Sequence, residues 1–233
     1  MRIVIAGGHG QVALQLERIL SARGDTPVGL IRRPDQAQEL QAAGAEALLC
    51  DLESVGVDQL AADLAGAEAA VFAAGAGGHG GMARTQAVDQ GGAVLFAEAA
   101  QRAGVRRLVQ LSSMGADREP PPGTDAGFAA YLRAKGAADS DLASRTDLDW
   151  TILRPGHLTD DPGTGLVTLS TEHLSDRGGA AGSVSRRDVA AVIAQLLHTP
   201  ASAGLELELV SGDTSIEAAV ESAVQNASAR SAH

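Results

Sequence analysis

The chain is 233 residues long with a formal net charge of −11 and an apolar content of 45%, which suits one α/β domain with a substantial core and leaves little for a second. The acidic excess argues against a surface for nucleic acid or anionic lipid, since both require clustered basic groups. Aromatic residues are only 2% of the chain, so the core has to be packed from Ala, Val, Leu and Ile.

The first residues already read as a buried strand, Arg2–Ala6, running into glycine. That leaves no room for a secretory leader, and no apolar run is long enough to cross a bilayer, so a cytoplasmic setting is expected. Cys50 is the lone cysteine and lacks Cys or His neighbours at ligand spacing, so neither a disulfide nor a metal site is expected.

Strand patterns then recur at Pro27–Ile31, Ala45–Cys50, Ala69–Ala74, Arg107–Leu111, Trp150–Leu153 and Leu205–Val210. Helical periodicity falls near 10–23, 35–43, 55–65, 82–103, 126–145, 186–198 and 214–226. This alternation predicts βαβ units: an α/β fold with a doubly wound parallel sheet of about seven strands in three αβα layers, spanning residues 1–233 as one domain. Pro120, Pro121 and Pro122 exclude a helix interior or central strand. The loops at about 113–126 and 156–185, the second with one possible short strand at Leu166–Leu169, follow strand ends where a ligand would sit. The helices near 82–103 and 126–145 are long enough to pair in a dimer, so monomer and homodimer both stay open.

The first crossover begins Gly7-Gly8-His9-Gly10-Gln11-Val12-Ala13. Glycines let the backbone turn sharply and approach a diphosphate, and the helix that follows offers free amides and a partial positive charge. No Walker lysine follows. Strand 2 ends in Arg32-Arg33-Pro34 with no carboxylate before Asp35. An NAD site usually has an acid there for the ribose 2′-hydroxyl, whereas two guanidiniums suit a 2′-phosphate, so NADP is expected ahead of NAD. The alternative is a solvated arginine pair. Asp51, followed by Leu52, either accepts the adenine amino group or caps the next helix, a role for which Ser54 is equally suited by residue type. Ala73, Ala74 and Gly75 are small enough to let a ribose pass. His79 reads first as an exposed loop histidine.

Tyr131 and Lys135 are the chain's only tyrosine and only lysine. Four residues apart on a predicted helix, they share one face. A phenol titrates near 10 and becomes a useful acid–base group once an ammonium stabilises its phenolate, and the same ammonium can hold ribose hydroxyls.

The glycine loop, Leu111-Ser112-Ser113, Tyr131-x-x-x-Lys135 and Leu153-Arg154-Pro155-Gly156, in this order, resemble the short-chain dehydrogenase/reductase superfamily. Within it, residues 2–212 look like the atypical NAD(P)H-binding branch related to sugar-nucleotide epimerases and NmrA-like proteins. The resemblance implies a seven-stranded parallel Rossmann sheet and a proton relay through Tyr131 and Lys135 assisted by Ser113, although another register would put Met114 there. It also implies cofactor contacts from Ser112, Lys135, Pro155, Gly156 and His157. Asp89 falls where extended members often carry asparagine. Arg154, Arg186 and Arg187 are candidates for the substrate side, with Ser185 read first as a helix cap, and Trp150 as core. The expected activity is hydride transfer to or from a small carbonyl or alcohol. An epimerase or dehydratase-like enzyme and a non-catalytic NADP(H) sensor are the alternatives.

Overall fold

The computed structural model describes residues 1–77, 81–174 and 182–231; His79 lies outside them. The first half runs β1 (Arg2–Ala6), α1 (Gln11–Ala22), β2 (Thr26–Ile31), α2 (Ala37–Ala42), β3 (Glu46–Leu49), α3 (Val57–Leu64) and β4 (Ala69–Phe72). Next come α4 (Gly81–Thr85), a π-helical segment (Gln86–Gly92), α5 (Ala93–Ala103), β5 (Arg107–Leu111), α6 (Ala126–Ala143) and β6 (Asp149–Pro155). The remainder is β7 (His157–Thr159), β8 (Leu166–Ser170), β9 (Ser183–Ser185), α7 (Arg186–Leu197), β10 (Leu205–Ser211), β11 (Thr214–Ser215) and α8 (Ile216–Ser231).

All seven expected strands are present and pair in parallel, in the order β10-β6-β5-β4-β1-β2-β3. Among the described residues the main sheet nevertheless has nine strands rather than seven. The possible strand after residue 165 is β8, which pairs antiparallel with β10, and β11 pairs antiparallel with β8. In the chain β8 reaches β10 by way of β9 and α7, and a short turn after β10 then leads into β11 on the other side of β8. β7 and β9 form a separate parallel pair. The helix expected over 82–103 is one helical run interrupted by a π-helical turn, and the helix expected from residue 35 starts with a 3-10 turn at Pro34–Gln36.

Alternation along the strands divides the core. Ile3 and Ile5 of β1, with Val71, Val109 and Leu153, pack on α1, α7 and α8. Val4 and Ala6, with Ala70, Phe72, Leu108 and Ile152, face α3, α5 and α6. Strands buried on both faces are what a parallel sheet covered by two helical layers requires. Trp150 is partly buried and packs against the second layer. Among the described residues no helix is long and apolar enough to cross a membrane.

One core contact is electrically unusual. Glu17 of α1 is fully buried, and among the described residues neither carboxyl oxygen has a hydrogen-bond partner. It lies beneath the first crossover: a Cβ at Gly29 would come within 2.6 Å of Glu17 Oε1, and one at Gly8 within 2.6 Å of the Gly29 Cα. Burial pushes the Glu17 carboxyl up to about 8. It is therefore held as a neutral acid in neutral solution.

Candidate functional site

The first crossover is built around two close approaches. Gly7 has φ +78°, and a Cβ there would lie 2.7 Å from the Ala74 backbone. Gly10 donates its N–H to the Gly7 carbonyl at 2.8 Å and then caps α1 through its backbone alone. With no side-chain cap and no acidic residue in the first turn, the opening amides of α1 are left for an anion. Glycine at position 7 is thus demanded both by the backbone and by contact with β4. Gly7→Ala is expected to weaken dinucleotide binding at least about tenfold, because left-handed strain alone costs about 1–3 kcal/mol. Calorimetry with NADPH checks this.

A cleft of about 390 Å³ opens beside this loop at the carboxyl ends of β1–β4, the place where open α/β sheets bind ligands. It gathers Gly7, His9, Gly10, Arg32, Asp51, Leu52, Ala73, Ala74 and Gly75 of the expected residues. The glycine cradle and the uncapped helix start fit the diphosphate of a dinucleotide. Asp51 does not cap α3, whose N-cap is Gly56; its carboxylate accepts the Glu53 N–H at 3.1 Å and otherwise borders the cleft. Arg33 turns away from the cleft, its Nε 3.3 Å from Asp35. Cys50 also lines the cleft, but burial and nearby carboxylates push its thiol up to about 11, which removes it as a nucleophile.

The second half of the site stands at the carboxyl end of β5. Backbone bonds from Ser112 to Leu153 (2.8 Å) and from Met114 to Pro155 (2.9 Å) fix the register. The Ser113 hydroxyl donates to the Met114 carbonyl at 3.4 Å, and Ser113, rather than Met114, is the neighbour that acts on the Tyr131 phenol, pulling its pKa down. Asp125 caps α6 by accepting the Phe128 N–H at 3.0 Å, and Tyr131 and Lys135 follow on the helix. The Phe128 ring, half exposed, stacks on Tyr131 with centroids 5.9 Å apart. Ser112 is turned inward, donating to Asp139 at 2.8 Å.

The electrostatics depart from the expectation for the tyrosine–lysine pair. Burial, reinforced by the Asp89 charge, pushes the Tyr131 phenol up to about 12, with Ser113 pulling the other way. Lys135 is buried and donates to the Leu111 carbonyl at 2.6 Å, with its ammonium 5.7 Å from the Phe72 ring centre. Burial lowers the lysine's pKa, against the pull of Asp89 and Asp139. The ammonium is thus answered by two carboxylates and a carbonyl, and the phenolate receives no net stabilisation. Asp89 belongs to the π-helical segment, where it is buried and accepts the Ala76 N–H at 3.0 Å.

A model of the NAD(P)H-binding family matches residues 7–200. The chain belongs to that family. This NAD(P)H-binding protein is 33% identical over 222 residues to the uncharacterised sugar epimerase YhfK of Bacillus subtilis, covering 95% of the chain and 99% of the relative. Among solved structures it is similar to the oxidoreductase YlbE of Lactococcus lactis, with 31% identity, a TM-score of 0.82 and 97% of each chain covered. It is also similar to ChuY, the anaerobilin reductase of Escherichia coli O157:H7, with 25% identity, a TM-score of 0.75 and coverage of 91% of this chain and 98% of that one.

Other expected residues of this NAD(P)H-binding protein are engaged elsewhere. Arg154 is buried and ion-paired, 2.9 Å from Asp139, 3.1 Å from Asp117 and 2.7 Å from Glu206. Pro155 is buried, while Gly156 and the exposed His157 are held by backbone bonds to Leu209 and Gly182. Ser185 caps α7 by accepting the Arg187 N–H at 3.2 Å, and Arg186 pairs with Asp160 at 2.8 Å. The sequence reading gave no role to Glu17, Asp139 or the pair Glu53–Arg84. Of these only Asp139, four residues after Lys135, carried a local signal, since that spacing puts it on the helix face of Tyr131 and Lys135.

Proposed function

We propose that this protein is an NADP-dependent oxidoreductase that reduces a small carbonyl compound, or the reverse, with Tyr131 as the proton-transfer group. The reading is carried by the convergence of Ser113 at the end of β5, Tyr131 and, one turn further along α6, the buried Lys135. Gly7, Gly8, Gly10 and the Gln11 and Val12 amides would hold the diphosphate, with His9 at the loop's outer edge. Asp51 and Leu52 would meet the adenine and Ala73–Gly75 the ribose. Arg32 would take the 2′-phosphate, with Arg33 in a minor part. Lys135, Pro155, Gly156 and His157 would border the nicotinamide end. When bound, the dinucleotide supplies or accepts a hydride.

The chain's own chemistry is proton handling. A phenol raised to about 12 stays protonated in neutral solution, so Tyr131 is set as an acid that donates its proton to a carbonyl oxygen. Ser113, whose hydroxyl would turn from the Met114 carbonyl, would orient the phenol and donate to the same substrate oxygen. Lys135 lies beneath the site, where burial works against its charge and Asp89 and Asp139 favour it. The expected consequence is a reductive rate that does not fall through loss of the phenol proton between about pH 6 and 9. Single-turnover oxidation of NADPH with a panel of aldehydes, ketones and quinones tests the activity, and calorimetry with NADPH and NADH tests the cofactor. No oxidation with any carbonyl would leave a cofactor-binding sensor. An epimerase uses the same proton transfer, and the name of the Bacillus subtilis relative favours keeping that reading. It predicts a cofactor retained through purification and returned unchanged after each turnover.

A further inference from the structure

We propose that Glu53 is a built-in competitor for the cofactor's 2′-phosphate, and that Arg84 joins Arg32 to form the phosphate clamp. The proposal rests on the NADP reading above and adds what sets its strength. Glu53 follows β3 in the turn that Asp51 holds, Arg32 follows β2, and Arg84 comes from α4 on the far side. All three line the cleft beside the glycine loop. Arg84 Nε donates to Glu53 Oε1 at 3.1 Å, and Arg32 Nη1 lies 3.9 Å from that same oxygen. Two guanidiniums from separate crossovers therefore converge on one carboxylate oxygen.

A carboxylate brings a single charge to this point, whereas a phosphomonoester brings nearly two charges and three acceptor oxygens. It satisfies both guanidiniums better than Glu53 does. Glu53 and Arg84 are 37% and 25% exposed, so their pair is screened and readily exchanged. Without a 2′-phosphate the carboxylate keeps both arginines and is itself able to accept from a ribose hydroxyl. The Glu53 side chain thus favours the unphosphorylated nucleotide, and the two arginines favour the phosphorylated one. Position 53 sets the balance.

The test is calorimetry on the full chain with adenosine 2′,5′-bisphosphate and with 5′-AMP, which differ only in the 2′-phosphate. Wild type is expected to prefer the bisphosphate by about tenfold or more. Glu53→Gln should widen that ratio about fivefold and Arg84→Gln should narrow it about tenfold, with thermal melts confirming that both variants fold. No preference in wild type overturns the NADP reading together with the clamp. A wild-type preference whose ratio neither variant changes overturns the clamp alone, and Arg32 is then its only arm.

Discussion

Tyr131→Phe is expected to slow NADPH-dependent reduction by about 10²–10⁴-fold, the usual contribution of a positioned general acid. Dinucleotide affinity should stay within about twofold, since the phenol lies at the other end of the site from the glycine loop and Arg32. The ring is retained, so its stack on Phe128 and its burial against α6 persist. What disappears is the hydroxyl whose proton the proposed reaction uses. Ser113→Ala should act in the same direction with a smaller loss, because the phenol keeps its proton and loses only its orienting partner. Pre-steady-state NADPH oxidation separates the steps. A Phe variant that reduces carbonyls at the wild-type rate would remove Tyr131 from the mechanism and leave the binding assignments intact.

Glu17→Gln should stabilise the fold at pH 8 and change how stability depends on pH. The Glu17 carboxyl sits near 8 in the folded chain against an ordinary value of 4.5. Its folded pKa is raised, so between those values the folded state keeps a proton that the unfolded state has released. Stability must therefore fall as pH rises from 4.5 towards 8, and level off above the folded value. At 1.36 kcal/mol per unit the ceiling is about 5 kcal/mol, and partial relaxation of the buried site should leave a few. Glutamine removes the titration but keeps the shape of the side chain beside Gly8 and Gly29. The variant should gain on wild type steadily from pH 5 to 8 in denaturant unfolding. Parallel stability curves across that range would mean that Glu17 is ionised in the folded protein and has found a partner.

Much of the architecture was legible because its signals are local. Two-sided apolar strands, helical periodicity between them and the Gly7–Gly10 spacing each lie within about a dozen residues, and the seven parallel strands follow from them. The extra antiparallel edge was only faintly visible: Leu166–Ser170 is short, and its partner β10 lies far along the chain. Within the site, the sequence by itself determined which residue types arrive at the strand ends: glycines after β1, arginines after β2, serines after β5 and a tyrosine–lysine pair on α6. Tertiary structure decided what those side chains face. Ser112 and Arg154 went to Asp139, Lys135 to a backbone carbonyl, Arg33 to Asp35 and Glu53 to two arginines. The phenol rose to about 12 instead of being lowered by its lysine. Spacing along a helix sets which neighbours are possible, but charge and hydrogen-bond balance at a buried group depends on every element packed around it, and those elements come from distant parts of the chain.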